Sequence, residues 1–103
     1  MAHSYSRSIP RPWEAVSKVF VALGDPHRQR ILLMFEKGER LNVSEIAAAS
    51  ALSRPAISYH LKVLREAGVL ASEKRGREVY FWVNRSRLES ALSAVASYVR
   101  DNA

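Results

Sequence analysis

Residues 54–62, Arg-Pro-Ala-Ile-Ser-Tyr-His-Leu-Lys, gather a guanidinium, two hydroxyls and an ammonium into nine positions. Ile57, Leu61, Leu64 and Ala67 recur at helical spacing and define an apolar stripe. Rotating by about 100° per residue from that stripe puts Tyr59, Lys62 and Glu66 on the far side, flanked by Ser58 and Ala56, with Arg54 at the helix start. These groups do hydrogen-bond and electrostatic chemistry. Arg and Lys donate to phosphates and to guanine edges, hydroxyls pair with either, and a methyl or an aromatic ring meets a thymine methyl. Further along, Arg75-Gly76-Arg77 adds two long cations at the tip of a turn, where they reach sugar-phosphate or a minor groove but not major-groove base edges.

Bond-breaking chemistry has no matching residues. The chain has no glycine-rich phosphate loop, no Gly-x-Ser-x-Gly elbow, no paired carboxylates on an apolar face and no cysteine. No catalytic residue and no cofactor are expected. The lack of cysteine also excludes disulfides, thiolate metal sites and thiol redox switches. Of the three histidines, His60 falls at the edge of the apolar stripe and reads as a packed or hydrogen-bonded core-edge residue. His27 falls in the first turn of an earlier helix, exposed, and His3 in an N-terminal arm. No pair of them has metal-ligand spacing, so no metal site is expected.

The elements that must carry the polar face are marked by local signals. Ser53 is an N-cap and Pro55 sits in the first turn, where its missing N–H costs little; Gly68 suits the left-handed position that ends the helix. Asn42 with Glu45 resembles a capping box for a short preceding helix reaching Ser50. Upstream, Pro12 opens a helix to about Leu23 with Val16, Val19, Phe20 and Leu23 on one face, ended by Gly24. Asp25-Pro26 starts another to about Glu36 with Ile31, Leu32 and Phe35 inward. Residues 69–74 and 78–83 read as a hairpin around Arg75-Gly76-Arg77, with Val79, Phe81 and Val83 alternating against Glu78, Tyr80 and Trp82. A last helix from about Ser86 to Arg100 carries Leu88, Leu92, Val95 and Val99 as a stripe, with Ala91 and Ala96 beside it. Four helices, a hairpin wing with arginines at its tip and a terminal helix make a mainly α fold of the winged helix-turn-helix kind.

Bulk properties agree. The 103 residues read as one domain at 12–103, with residues 1–11, rich in Ser, Arg and Pro, as a mobile arm; 48% hydrophobic content suffices for a small core. The formal charge is +6, and residues 53–87 hold eight Lys/Arg against three Glu, so the cationic excess coincides with the second helix of the motif and the hairpin after it. No apolar run approaches the roughly 18 residues of a membrane span, and the N-terminus lacks the apolar core of a signal peptide. A cytoplasmic protein is expected.

Three runs of residues are familiar as a set. Val21-Ala22-Leu23-Gly24-Asp25-Pro26-His27-Arg28-Gln29-Arg30-Ile31-Leu32 is close to an "ALADPTRLRIL" run, and Leu52 to Gly68 is close to "LSQPTVSHHLKVLREAG". Gly76-Arg77-Glu78-Val79-Tyr80-Phe81 continues the likeness into the wing. Across roughly residues 13–99 the chain resembles the ArsR/SmtB family of bacterial transcriptional repressors. The resemblance implies a homodimer joined through the first and last helices, binding an imperfect palindrome in double-stranded DNA at a promoter, in a bacterial cytoplasm and on the nucleoid when bound. Arg54, Ala56, Ser58, Tyr59, Lys62, Arg75 and Arg77 are then the DNA-facing candidates. Val16, Phe20, Leu88, Leu92, Val95 and Val99 are the dimer-facing ones. The last helix supports the dimer independently. Its stripe comes after five elements that already supply a core, so a self-complementary partner is the simplest cover, the alternative being packing wholly within one subunit.

The chain also departs from the family. Metal-sensing members use Cys-x-Cys at the start of the third helix, and the matching positions here are Asn42 and Ser44, neither a useful ligand for a soft metal. A second family site uses Asp, His and Glu on the terminal helix, which here offers only Glu89 and Asp101. The expectation is therefore a repressor whose signal is not a thiol-bound metal: a small organic molecule, a protein partner, or promoter competition alone. Trp13, Tyr80, Trp82 and Tyr98 are either ordinary packing or the lining of an effector site near the dimer seam. Two other readings stay open: a winged-helix protein-interaction module that no longer binds DNA, and a metal sensor with an unfamiliar site. Arg54, Lys62, Arg75 and Arg77 weigh against the first.

Overall fold

The computed structural model describes residues 8–103, so His3 and most of the expected arm lie outside the described residues. The helix expected to open at Pro12 begins instead as a 3-10 turn over Arg11–Trp13, closed by the Trp13 amide on the Pro10 carbonyl at 2.9 Å. It leads directly into α1 (Glu14–Ala22). Asp25 caps α2 (Pro26–Leu32): its carboxylate accepts from the amides of His27 at 2.8 Å and Arg28 at 3.3 Å, while Pro26 takes a position that needs no donor. Helix α2 stops four residues short of the expected Glu36. The amides of Met34 and Phe35 bond three residues back, to Ile31 and Leu32, so the last turn tightens, and the chain leaves through Gly38 at φ 74°. Periodicity continued to Phe35 because that side chain still packs against the core, half-buried, from outside the helix.

The two helices of the motif form as their caps dictate. For α3 (Val43–Ala48) the capping box is complete, with Asn42 Oδ1 accepting from the Glu45 amide at 2.8 Å and Glu45 Oε1 accepting from the Asn42 amide at 3.0 Å. For α4 (Arg54–Glu66) Ser53 Oγ accepts from the Ala56 amide at 3.3 Å. Its far end is a Schellman motif: Val69 N–H donates to the Leu64 carbonyl at 2.9 Å and Gly68 N–H to the Arg65 carbonyl at 3.0 Å, with Gly68 at φ 82°.

The wing has three strands where two were expected. Strands β2 (Leu70–Arg75) and β3 (Glu78–Val83) pair antiparallel, and β1 (Leu41–Asn42) lies on the other side of β3. The order is β1-β3-β2, with Leu41 opposite Phe81 and Leu70 opposite Val83. Two residues are too few to show a period of two, so β1 left no signal in the sequence. The hairpin turn is Gly76-Arg77 alone. Gly76 sits at φ 62° and no described non-glycine residue has positive φ, the pattern of a type II′ turn. Arg75 opposite Glu78 closes the ladder, so it stands on the strand end and not in the turn where it was expected.

Helix α5 (Arg85–Asn102), capped by Asn84, runs slightly past the expected Arg100. One core joins these elements: Val19 and Ala22 of α1, Ile31, Ile46, the stripe Ile57, Leu61, Leu64 and Ala67, then Val69, Leu70, Phe81 and Ala91. Ile46, Ile57 and Leu64 are fully buried, which sets the tilt of α4 by packing on α2 and α3 beneath it. Among the described residues no helix is long and apolar enough to cross a membrane.

Candidate nucleic-acid interface

With its stripe fully committed to the core, α4 leaves Arg54, Ser58, Tyr59, Lys62 and Glu66 exposed along one side. Ala56 is half-buried at the edge of that side. Tyr59 is the aromatic most open to a partner here, 61% exposed. Lys62 Nζ lies 3.9 Å from Glu66 Oε1, an exposed pair worth little in water and easily given up for a phosphate. Arg54 is the more ordered cation: its guanidinium donates to Ser44 Oγ at 2.9 Å, tying the start of α4 to α3.

At the wing tip the two arginines differ. Arg75 Nε lies 3.7 Å from Glu73 Oε2, a carboxylate shared with Arg40 at 3.2 Å, and Arg40 in turn stacks its guanidinium 3.9 Å over the Trp82 ring. Arg77 is exposed and forms no ion pair among the described residues. The more available charge is therefore Arg77.

Beneath the outward face of α4 lies a group of residues that the sequence kept apart. His60 is half-buried, its Nδ1 3.3 Å from a terminal nitrogen of Arg28, and its ring is 5.8 Å from that of His27. His27, expected to be exposed, is half-buried and lies 3.1 Å through Nδ1 from Arg30. Burial holds the His60 pKa below its ordinary 6.5; the charges of Arg28 and His27 lower it further, against Asp25, which raises it. Burial works to raise the Asp25 carboxyl, but the amides of Arg28 and His27 and the Arg28 charge together hold it below 3.8. Arg85 is raised by its hydrogen bond to Glu89 at 2.7 Å, an exposed pair within α5.

The positions at which the resemblance would place soft-metal ligands are occupied by other work. Asn42 closes the capping box and its side-chain Nδ2 also donates to the Glu78 carboxylate on β3, while Ser44 Oγ accepts from Arg54. Among the described residues no group of three or more His, Asp or Glu stands ready to hold a metal ion.

A second surface lies on α1 and α5. Phe20, Leu92, Tyr98 and Val99 are 42 to 58% exposed, and Val16 and Val95 are half-buried where they line a groove of about 440 Å³ with Trp13. Leu88, like Val16, is half-buried and packs against the edge of the core. The four aromatics fall into two places: Trp13 and Tyr98 meet edge to face at 5.9 Å in the groove, whereas Tyr80 and Trp82 belong to the wing sheet.

Sequence reasoning missed the Arg28–His60 contact, the His27–His60 pair, the Arg54–Ser44 bond and Arg40 over Trp82. Only the Asp25 cap hinted at the first of these, by fixing where Arg28 begins its turn.

Comparison with known proteins places this arrangement. Residues 25–72, from the α2 cap into β2, match the bacterial regulatory protein, arsR family. The arsenic resistance transcriptional regulator ArsR2 of Pseudomonas putida is 34% identical over 93 residues, covering 82% of this chain and 80% of its own length. The transcriptional repressor SdpR of Bacillus subtilis is 29% identical over 84 residues, 82% of this chain and 92% of that protein. An ArsR-like transcriptional regulator from Rhodococcus sp. RHA1 superposes with a TM-score of 0.79 at 27% identity, covering 87% of this chain and 84% of that one. A winged helix-turn-helix with these relatives, and with the matching residues running unbroken through both helices of the motif, belongs to the ArsR family of bacterial regulatory proteins.

Proposed function

We propose that the chain is a homodimeric, sequence-specific DNA-binding repressor that acts by binding alone, in the bacterial cytoplasm, with residues 12–103 as its working unit. The observation that carries this is the side of α4 left over after packing: 13 residues, about 20 Å of helix, with Arg54, Ser58, Tyr59 and Lys62 exposed together. The major groove admits an α-helix presenting such a face, and Arg77 on the wing is set to take sugar-phosphate beside it. Repression is the activity named for SdpR, and the family membership supports the same role here. The exposed apolar residues of α1 and α5 support a two-fold partner, which would present two α4 helices to half-sites about one helical turn apart.

The signal is not a thiol-bound metal in this reading, because Asn42 and Ser44 are spent on the α3 cap and on Arg54. An effector in the Trp13–Tyr98 groove, or none, is compatible with the same surfaces. Footprinting on the DNA flanking the chain's own gene tests the proposal directly. Protection of a palindrome at about 0.15 M salt is expected; equal binding to random DNA, or a protein that stays monomeric at micromolar concentration, overturns it.

A further inference from the structure

Arg28 sits where three elements meet, its side chain only 14% exposed. Its Nε donates to the Ala22 carbonyl at the end of α1 at 2.6 Å, and a terminal nitrogen lies 3.3 Å from His60 Nδ1 on α4. The same nitrogen is 4.0 Å from Asp25, the α2 cap. A guanidinium has donors only, so His60 must accept at Nδ1 and keep its proton on Nε2. His27 is bound by the same logic through Arg30. The groups facing His60 are therefore Asp25, Arg28 and His27 from the α2 side, with Arg30 behind His27 and the Tyr59 ring 5.6 Å away on its own helix.

We propose that Arg28 and His60 are positioning residues for α4, a latch that fixes the helix against the α1–α2 corner only while His60 is neutral. This rests on the reading of α4 as the DNA-reading helix. Tyr59, one residue before His60, is on the outward face, so a helix freed at His60 loses the register of the side chain best placed to meet bases. A proton on Nδ1 sets donor against donor and adds a cation beside Arg28, with Asp25 as the only facing carboxylate among the described residues and already engaged by two amides.

Acid therefore opens the latch. Because His60 is held below its ordinary pKa of 6.5, the unfolded chain takes up the proton first as pH falls. Stability from the neutral latch is complete above 6.5 and is lost as pH falls through the lower folded value.

His60→Asn is the discriminating variant, since its Oδ1 hangs from Cγ as the imidazole Nδ1 does and cannot titrate. The measurement is the ratio of affinities for a duplex recovered by binding from a randomised pool and for its scrambled version, from about pH 7.5 down to the lowest pH at which the wild type stays folded and the His60 imidazole is seen to take up its proton in ¹⁵N spectra. Taking the ratio removes the uniform gain that added positive charge gives on any DNA. The wild type is expected to lose about threefold or more of that ratio on acidification, His60→Asn to hold it flat, and His60→Ala to be low at every pH. Equal profiles for wild type and His60→Asn would overturn the latch. So would an Nδ1–H tautomer for His60 in imidazole ¹⁵N spectra at neutral pH. Should no duplex be recovered, the DNA reading fails separately. The latch is then decided by tautomer and by urea midpoints: a smaller loss for His60→Asn than for wild type on acidification supports it, and an equal loss refutes it.

Discussion

Helices α4 and α5 are opposite solutions to the same problem. In α4 every apolar residue of the stripe is inside, with Ile57 and Leu64 at 0% exposure, and the residues left outside are polar and cationic. In α5 only Ala91 is buried, while Leu92 and Val99 stand 58% and 53% exposed. The first helix is complete within one subunit and offers a surface that water already solvates, so it can bind and release a charged ligand. The second is incomplete alone, and water is a poor partner for it. On the function proposed above, α4 serves reversible contact and α5 standing association.

The largest effect expected from this contrast is at the α4 stripe. Ile57→Ala should cost about 2–5 kcal/mol in denaturant unfolding, because a fully buried side chain is replaced by a cavity. A loss under about 1 kcal/mol would mean that the stripe does not anchor α4. Next comes α5, where the double change Leu92→Glu with Val99→Glu should raise the dimer dissociation constant by about a hundredfold or more in sedimentation, with monomer secondary structure kept. Unchanged association would return α5 to its own subunit and remove the contrast.

Within the proposed DNA-facing surface the differences are finer. Tyr59→Ala should narrow the gap between selected and scrambled duplexes by about 1–3 kcal/mol while leaving the salt dependence nearly intact. Arg77→Ala should weaken both DNAs together and flatten the log-affinity against log-salt slope by about one unit per subunit, with Arg75→Ala doing less because Glu73 already holds that charge. Competitive titrations at several salt concentrations distinguish them; a selective loss for Arg77→Ala, or an even loss for Tyr59→Ala, reverses the assignment. The smallest effect expected is from metals. Zinc, cadmium or arsenite should change DNA affinity by no more than about twofold, since Asn42 and Ser44 stand where soft-metal ligands would be needed. A tightly held, stoichiometric metal that releases DNA would show that the protein senses metal through other residues.

What the sequence determined by itself was everything set by neighbours within a turn or two. Ser53, Pro55 and Gly68 bounded α4, Asp25 and Asn42 capped α2 and α3, and Gly76 made the hairpin, because an orphan amide or a positive φ must be served locally. The outward face of α4 came from rotation about a helix whose stripe was already visible. Tertiary structure alone decided the rest. Two residues at Leu41–Asn42 became a strand because β3 had a free edge beside them. Helix α2 ended at Leu32 because the chain had to turn there, although Phe35 kept the helical rhythm. Arg28 met His60 and Arg54 met Ser44 across 32 and 10 residues. A guanidinium reaches in any direction its stem allows, and no pattern of types or spacing says which distant acceptor the folded backbone will bring within about 3 Å of it.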